Sequence, residues 1–175
     1  MKTMQKSGKT ACAAALLIAL MLLMSLGCAE EADLQAAELP ANGEMHFFAA
    51  SEDGQEAIET TPQSKKSAIE ITVPSGEDYY LITLADPVTF QKKIVIFVYP
   101  GKTVLKEIPS GEYWLYYTCG ETWYGFEDKF GSDAPRTRTE ESDVFEDGYY
   151  WSYTLYAVSD GNLSTETVPP EAYPD

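Results

Sequence analysis

The sequence predicts an all-β protein, a small antiparallel β-sandwich or small barrel of about seven to nine strands. From Met45 onward, apolar residues alternate with polar ones, and clusters of Pro, Gly, Asn and Ser separate the alternating runs. No part of this region shows the helical period of about 3.6 residues. Short alternating runs joined by such turns are typical of antiparallel sheets.

The predicted strands follow one another closely along the chain. The third run carries apolar side chains on both faces, so we place it in the middle of a sheet. The fourth reads IVIFVY, and the Pro100-Gly101 turn after it predicts a hairpin with the fifth. The fifth has a polar residue on each face and is placed near a sheet edge. In chain order the runs are residues 45–50, 68–73, 79–84, 94–99, 103–108, 112–118, 149–158 and 163–168.

A long connection, residues 119–148, separates the sixth run from the seventh and is predicted to be a loop. Its carboxylates offer the hard oxygen ligands that suit Ca²⁺. Their spacing does not match an EF-hand loop, so we interpret the segment as solvated and predict no metal ion and no cofactor. The carboxylates are those of Asp128, Asp133, Glu140, Glu141, Asp143, Glu146 and Asp147.

The N-terminus has the order of a secretion signal, with three lysines before an apolar run, residues 11–26. This run is shorter than the about 20 residues of a membrane-spanning helix. Its end, Ser25-Leu26-Gly27-Cys28, resembles the lipobox of bacterial lipoproteins. The resemblance implies that Cys28 is acylated and anchors the protein to a membrane. Ordinary secretion and an uncleaved signal anchor are the alternatives.

These features predict an exported protein on the extracytoplasmic face of a cell membrane. The predicted organisation is a signal peptide at 1–27, a lipidated cysteine and flexible tether at 28–43, a β-sandwich domain at 44–170 and a frayed tail at 171–175. The tether is rich in Ala and Glu and shows no sustained apolar period. The remaining length suits one domain.

The chain is strongly acidic, with a net charge of −16. Loss of the signal peptide removes three lysines and no acid, which makes the net charge of the mature chain about −19. Such a surface repels phosphate backbones and anionic lipid headgroups. We therefore predict no nucleic-acid partner. The expected partners are the membrane, through the lipid anchor, and an extracytoplasmic protein or glycan.

The three cysteines have different predicted fates. Cys12 leaves with the signal peptide and Cys28 carries the lipid, so Cys119 has no partner for an internal disulfide. If the protein were only secreted, Cys28 and Cys119 could pair. We interpret Cys119 as a small buried hydrophobic residue at a strand end rather than as a reactive thiol.

The sequence shows no catalytic constellation, and we predict that the protein is not an enzyme. His46 is its only histidine and lies on the first predicted strand. The sequence lacks nucleophile-elbow, zinc-binding and phosphate-binding motifs. Two carboxylates could hydrolyse a glycoside, but the sequence does not give their separation, so a hydrolase is the less favoured alternative.

Aromatic residues are the most informative functional feature, with 12 Tyr and 3 Trp in the chain. Tyr150 and Tyr156 share one face of the seventh predicted strand with hydroxyl side chains. Trp123 and Tyr124 lie between two glycines, where they either plug the open end of the sandwich or contact a ligand. These four are the candidate ligand-binding residues. We predict a non-catalytic interaction domain, with a carbohydrate-binding module that uses exposed Tyr and Trp as the alternative.

The order of special residues in the second half of the chain resembles a group of uncharacterised bacterial domains with a PxGxY…TGxTWYG…FG…GNL pattern. The matching segments here are 109–113, 119–125, 130–131 and 161–163, with cysteine in place of the first threonine. Such domains often belong to exported or surface-associated proteins. The resemblance covers roughly residues 39–168. It implies a fold and an exported or surface location, but no chemical activity.

Overall fold

The computed structural model describes residues 34–49, 57–58, 66–155 and 163–174. Within them the chain forms strands and one 3₁₀ turn, Pro170–Ala172, so the predicted all-β class is confirmed. No helix in these ranges is long and apolar enough to cross a membrane. The strands are β1 (Met45–Ala49), β2 (Ala57–Ile58), β3 (Lys66–Thr72), β4 (Tyr79–Ala85), β5 (Lys92–Val98), β6 (Thr103–Pro109), β7 (Gly111–Gly120), β8 (Arg136–Thr139), β9 (Asp143–Phe145), β10 (Tyr150–Thr154) and β11 (Thr165–Thr167).

The strands form two sheets that pack face to face as a small sandwich. The larger sheet has the order β11-β8-β7-β4-β5-β1-β2, with β9 also paired to β7, and the smaller sheet has the order β10-β3-β6. Neighbouring strands are antiparallel except β10, which runs parallel to β3. As predicted, β4 lies in the middle of a sheet and β6 lies at an edge.

The predicted hairpin across Pro100-Gly101 is wrong. β5 pairs with β4 and β1, whereas β6 pairs with β3 in the other sheet. The turn therefore carries the chain between the two sheets. A Pro-Gly turn reverses the direction of the chain but does not determine which strand the next one pairs with. The apolar β5 lies between β4 and β1, where both of its faces are buried.

The space between the sheets is filled mainly by aliphatic side chains. Alternate residues of each strand point inward, and β-branched side chains pack well on such a pleated surface. Full burial of one such side chain stabilises the fold by about 1.5–3 kcal/mol. The core side chains between the sheets that are at most 1% exposed include Ile69, Ile71, Ile82, Leu84, Ile94, Ile96, Val98 and Ile108.

The predicted loop at residues 119–148 contains two strands, β8 and β9, so this prediction is wrong in part. Both strands extend the larger sheet along the edge of β7 that faces away from β4. The sequence of β8 is RTRT, and it contains no apolar residue, so it lacks the alternation of apolar and polar residues that indicates a strand. The segment forms a strand because β7 offers backbone groups that need hydrogen-bond partners.

Irregular segments cover the outer face of the larger sheet, which is the face away from the smaller sheet. Residues 121–135 cross it, and a second apolar cluster that includes Phe97, Trp123 and Phe130 lies beneath them. Gly120 permits this close crossing, because a Cβ at that position would lie 2.8 Å from the Cβ of Phe130. The crossing segment therefore acts as a third layer over part of the sheet.

The N-terminal segment belongs to this cover, which corrects the predicted tether at 28–43. The Ala37 N–H donates to the carbonyl oxygen of Trp123 at 2.8 Å. Leu39 packs against the second cluster. The folded part therefore begins before the predicted boundary, because apolar side chains in this segment find a surface to cover. Residues 28–33 lie outside the described ranges.

The predicted frayed tail, residues 171–175, is packed as far as Pro174. Tyr173 is only 3% exposed, and its hydroxyl is 3.0 Å from the hydroxyl oxygen of Thr83. Its ring also meets the ring of Tyr116 edge to face, with centroids 5.6 Å apart. A tyrosine can bury its ring while its hydroxyl finds a polar partner, and this contact holds the tail on the sheet.

Candidate ligand-binding site

Trp123 is a core residue of the outer cover and is not available to a ligand. It is 3% exposed, and its ring meets those of Phe97, Phe126 and Phe130 edge to face at centroid distances of 5.1 to 5.2 Å. The prediction that Trp123 binds a ligand is therefore wrong. It covers the outer face of the larger sheet instead of plugging an open end. The adjacent Tyr124 is half-buried in the same crossing segment.

Tyr150 lies on the opposite side of the molecule, on the outer face of the smaller sheet. It is 55% exposed. The neighbouring Ser152 hydroxyl donates to Glu70 at 3.0 Å, and a hydrogen bond to Glu70 raises the pKa of the Tyr150 hydroxyl. Tyr156 lies outside the described residues. The structure therefore separates Trp123 and Tyr124 from Tyr150, and the candidates do not form one aromatic surface.

Two residues with chemically reactive side chains, Cys119 and His46, can be placed in the structure. Cys28 lies outside the described residues. Cys119 is half-buried at the end of β7, and burial raises the pKa of its thiol, which disfavours the thiolate. His46 lies 2.8 Å from a carboxylate oxygen of Glu44, and its ring meets that of Phe126 edge to face.

A cleft of about 430 Å³ opens at one end of the sandwich. It lies where β4 turns into β5 and β6 turns into β7, beside the end of β1. Its floor is apolar and aromatic, and three charged side chains stand among the lining residues. The lining consists of Phe47, Phe48, Asp86, Pro87, Lys93, Ile94, Pro109, Gly111, Glu112 and Tyr113.

Asp86 organises the β4–β5 turn at the edge of this cleft. One of its oxygens accepts hydrogen bonds from the backbone N–H groups of Val88 and Thr89, at 3.0 and 2.8 Å. The other oxygen lies 4.0 Å from Nζ of Lys93. The backbone hydrogen bonds, chiefly that from Thr89, lower the pKa of Asp86, with Lys93 adding to the effect, so its charge is retained at neutral pH.

The same turn exposes two apolar side chains beside the cleft. Val88 is 81% exposed and Phe90 is 46% exposed. Phe90 has a φ of 59°, in the left-handed region that non-glycine residues seldom adopt. Its N–H donates to the carbonyl oxygen of Asp86 at 3.0 Å, which holds the turn in this conformation. The turn that supplies Asp86 and Pro87 to the lining thus also presents two apolar side chains to solvent.

Tyr113 forms part of the opposite wall. Its hydroxyl donates to the carbonyl oxygen of Pro109 at 3.2 Å, and its ring meets that of Phe145 with centroids 5.7 Å apart. Burial raises the pKa of Tyr113, and the charge of Asp86 raises it further, so the hydroxyl stays protonated. The ring is therefore fixed in place as a neutral wall of the cleft.

The cleft lining contains few polar side chains. Its polar groups are two carboxylates, one ammonium group and the Tyr113 hydroxyl. In the described part of the chain, no three His, Cys, Asp or Glu side chains are placed to hold a metal ion. Sequence reasoning missed the cleft. Its sequence signals are the Asp-Pro pair after β4 and the Pro-Ser-Gly turn before β7, which only the fold brings together.

Comparisons of the chain with protein-family models, with curated proteins and with solved structures give no match.

Proposed function

We propose that the chain is an exported lipoprotein, anchored to a membrane through Cys28, whose folded part is a non-catalytic β-sandwich interaction domain. The lipobox-like segment and the resemblance to exported bacterial domains support this address. The acidic composition disfavours nucleic acid and anionic membrane surfaces as partners of the folded part. The ligand is expected on the extracytoplasmic side.

We place the binding surface in the end cleft. The observation that carries this proposal is a preformed concavity of about 430 Å³ with an aromatic floor and few polar groups. Small ligands and peptide side chains bind in concavities of this kind, typically of about 300–1,000 Å³. The hydrogen bonds of Asp86 and Tyr113 hold two of its walls in place, which reduces the entropy cost of binding.

The position of the cleft relative to the N-terminal segment supports this role. β1 begins opposite Ile96 and runs antiparallel to β5, so Phe47 lies opposite Ile94 at the cleft. Before β1, Gly43 donates its N–H to the carbonyl oxygen of Phe97. The described part of the N-terminal segment thus joins the sheet towards the end of β5 that is opposite the cleft.

Carbohydrate binding on the outer face of the smaller sheet is the second candidate. The exposed ring of Tyr150 beside Glu70 and Ser152 favours it, because a flat ring next to hydroxyl and carboxylate groups suits a sugar. The burial of Trp123 removes one aromatic residue on which that hypothesis depended. We therefore rank it below the cleft.

The binding surface is tested by mapping probe ligands with NMR on the full-length protein in detergent micelles. Indole is the apolar probe and cellobiose the sugar probe. We expect indole to shift the amide signals of Phe47, Glu112 and Tyr113, and cellobiose to leave that of Tyr150 unchanged. A cellobiose effect confined to Tyr150 and Ser152 would favour the second candidate, and an absence of shifts at the cleft would contradict the first.

A pair of variants sharpens this test. The substitution Tyr113→Leu removes an aromatic ring from the cleft lining and is expected to weaken indole binding about tenfold. Tyr99→Leu removes a half-buried ring near the other end of the sheet and serves as the matched control. Retained amide dispersion in both spectra shows that the variants fold.

The anchor is tested separately, by intact mass and detergent partitioning of the protein expressed in a bacterial host. We expect a mature chain that begins at Cys28 and carries acyl chains, and we expect Cys28→Ala to abolish both the added mass and the partitioning. An unlipidated, water-soluble wild-type product would contradict the anchor and would make a disulfide between Cys28 and Cys119 the next question.

A further inference from the structure

We propose that the end cleft binds an extended basic peptide, which adds as a strand to the free edge of β7 at Glu112 and places an apolar side chain on the cleft floor. This inference rests on the proposed function of the cleft and names its ligand class.

Among the described strands, β7 has a free edge beside the cleft. β4 ends at Ala85, opposite Trp114, while β7 continues back to Gly111. Beyond Ala85 the chain turns away, because the Asp86 N–H donates to the carbonyl oxygen of Gln91. In the described part of the chain, no strand takes the place of β4 beside the first residues of β7, and the cleft occupies this position.

The direction of the backbone groups follows from the strand geometry. Both the N–H and the C=O of Leu115 contact the hydroxyl of Thr139, on the β8 side of β7. Backbone groups of successive strand residues point to alternate edges. Glu112 lies three residues earlier, so its N–H and C=O point to the opposite edge, towards the cleft. An extended peptide could pair with both groups, as in recognition by strand addition.

Apolar side chains are present both in the cleft lining and on the adjacent β4–β5 turn. Phe47, Ile94 and Tyr113 are apolar or aromatic residues of the lining, and the exposed Val88 and Phe90 lie on the adjacent β4–β5 turn. A ligand that covers both is longer than one small molecule in the cleft. Alternate side chains of an added strand point to one face, so the same peptide can place one apolar residue in the cleft and another on the turn.

The charge of the chain favours a basic ligand. Asp86 and Glu112 are the acidic residues of the lining, and the single basic residue, Lys93, is already beside Asp86. Glu112 accepts a hydrogen bond from the hydroxyl of Ser142 at 2.5 Å and has a solvent-exposed side chain. The chain as a whole carries a net charge of −16. The lining has one more acidic than basic side chain, and Nζ of Lys92 lies 4.7 Å from the ring centroid of Phe48. The net negative charge of the whole chain therefore provides the attraction for a cationic ligand and the repulsion of an acidic one.

Four synthetic five-residue peptides, capped at both ends, test the inference on the full-length protein in neutral detergent. The first has the sequence KVFKV, and the second has glutamate in place of both lysines. The third and fourth are KVFKV methylated on the backbone nitrogens of either the odd or the even residues. Methylation removes donors from one edge of the added strand only, so the last two peptides control for each other.

We expect the glutamate peptide to bind at least about tenfold more weakly than KVFKV, and one methylated peptide to bind at least about tenfold more weakly than the other. Glu112→Gln and Asp86→Asn should each weaken KVFKV binding about threefold or more. Glu121→Gln, an exposed residue at the other end of β7, is the matched control and should leave binding unchanged.

Equal binding of the basic and acidic peptides, or of the two methylated peptides, would overturn the inference. If indole maps to the cleft while none of the peptides binds, the cleft remains a binding surface and only the peptide assignment fails. If neither indole nor KVFKV affects the cleft amides, the proposed function itself fails. KVFKV binding that shifts Glu112 and weakens with added salt would support strand addition by a basic ligand.

Discussion

The two outer faces of the sandwich differ in how they meet solvent. On the larger sheet, three irregular segments lie over the strands and bury Trp123, Phe130 and Tyr173. On the smaller sheet, the exposed side chains of Tyr150 and Leu105 lie among polar residues. Among the described residues, the large aromatic side chains named on the first face are buried, whereas Tyr150 on the second face is exposed to solvent.

The difference shows that the role of an aromatic residue depends on what lies over it. An irregular segment that crosses a sheet has few backbone partners in that sheet, so large side chains such as Trp123 hold it in place. Tyr150 belongs to an edge strand, where the backbone is held by β3 and the outward side chain is not needed for packing. The same residue class is therefore structural on one face and available on the other.

The largest effect that separates the two faces is expected for Trp123→Ala. Removal of a fully packed indole should lower the free energy of unfolding by about 3–5 kcal/mol. Chemical denaturation of the full-length protein, followed by circular dichroism, measures this. A loss of less than about 1 kcal/mol would mean that the crossing segment does not depend on Trp123 for its packing.

A second, smaller effect concerns the tail. Tyr173→Phe leaves the buried hydroxyl of Thr83 without its partner and should cost about 1–3 kcal/mol. Adding Thr83→Val removes the second polar group as well, and the double variant should recover part of that loss. If the loss of unfolding free energy in the double variant equals the sum of the losses in Tyr173→Phe and Thr83→Val, the two hydroxyls do not act as a pair.

At the cleft, we expect the contribution of Asp86 to the free energy of unfolding to depend on pH. The pKa of Asp86 is lowered in the folded state, so its charge stabilises the fold fully above the unfolded-state pKa of about 3.9. This contribution is lost as the pH falls through the folded-state pKa. The difference in unfolding free energy between wild type and Asp86→Asn should be less than about 1 kcal/mol near neutral pH and should vanish on acidification. A difference that grows below pH 4 would contradict the assigned sign.

The smallest effect is expected for Tyr150→Ala, the counterpart of Trp123→Ala on the open face. Because the ring is more than half exposed, the free energy of unfolding should change by no more than about 0.5 kcal/mol. The same denaturation experiment measures it. A loss comparable to that of Trp123→Ala would show that the outer face of the smaller sheet is also a packed layer.

Most of the strands could be predicted because their evidence is local. The IVIFVY run and the alternating strands on either side of it lie within one or two residues of their predicted positions. β8 and β9 were missed because their side chains do not alternate between apolar and polar, and they form strands only where β7 supplies a partner. The partner of β6 was misassigned for a related reason, since turn residues report a reversal and not a neighbour.

The candidate site could not be predicted to the same degree. The aromatic candidates share a residue type and similar sequence neighbours, but the three described ones, Trp123, Tyr124 and Tyr150, lie on two different faces. The cleft combines residues from β1, the β4–β5 turn, β5 and the β6–β7 turn. Phe47 and Tyr113 are far apart in sequence, and each alone looks like an ordinary core residue.

The sequence by itself determined the all-β class, the position of most strands, the acidic charge and the signal-like order of the N-terminus, because each depends on composition or on neighbours along the chain. Only the tertiary structure decided which sheet each strand joined, which aromatic rings were covered, and where β7 was left with a free edge beside an apolar cleft. Those outcomes depend on contacts between residues distant in sequence, and burial against another segment selects among partners that local patterns leave equivalent.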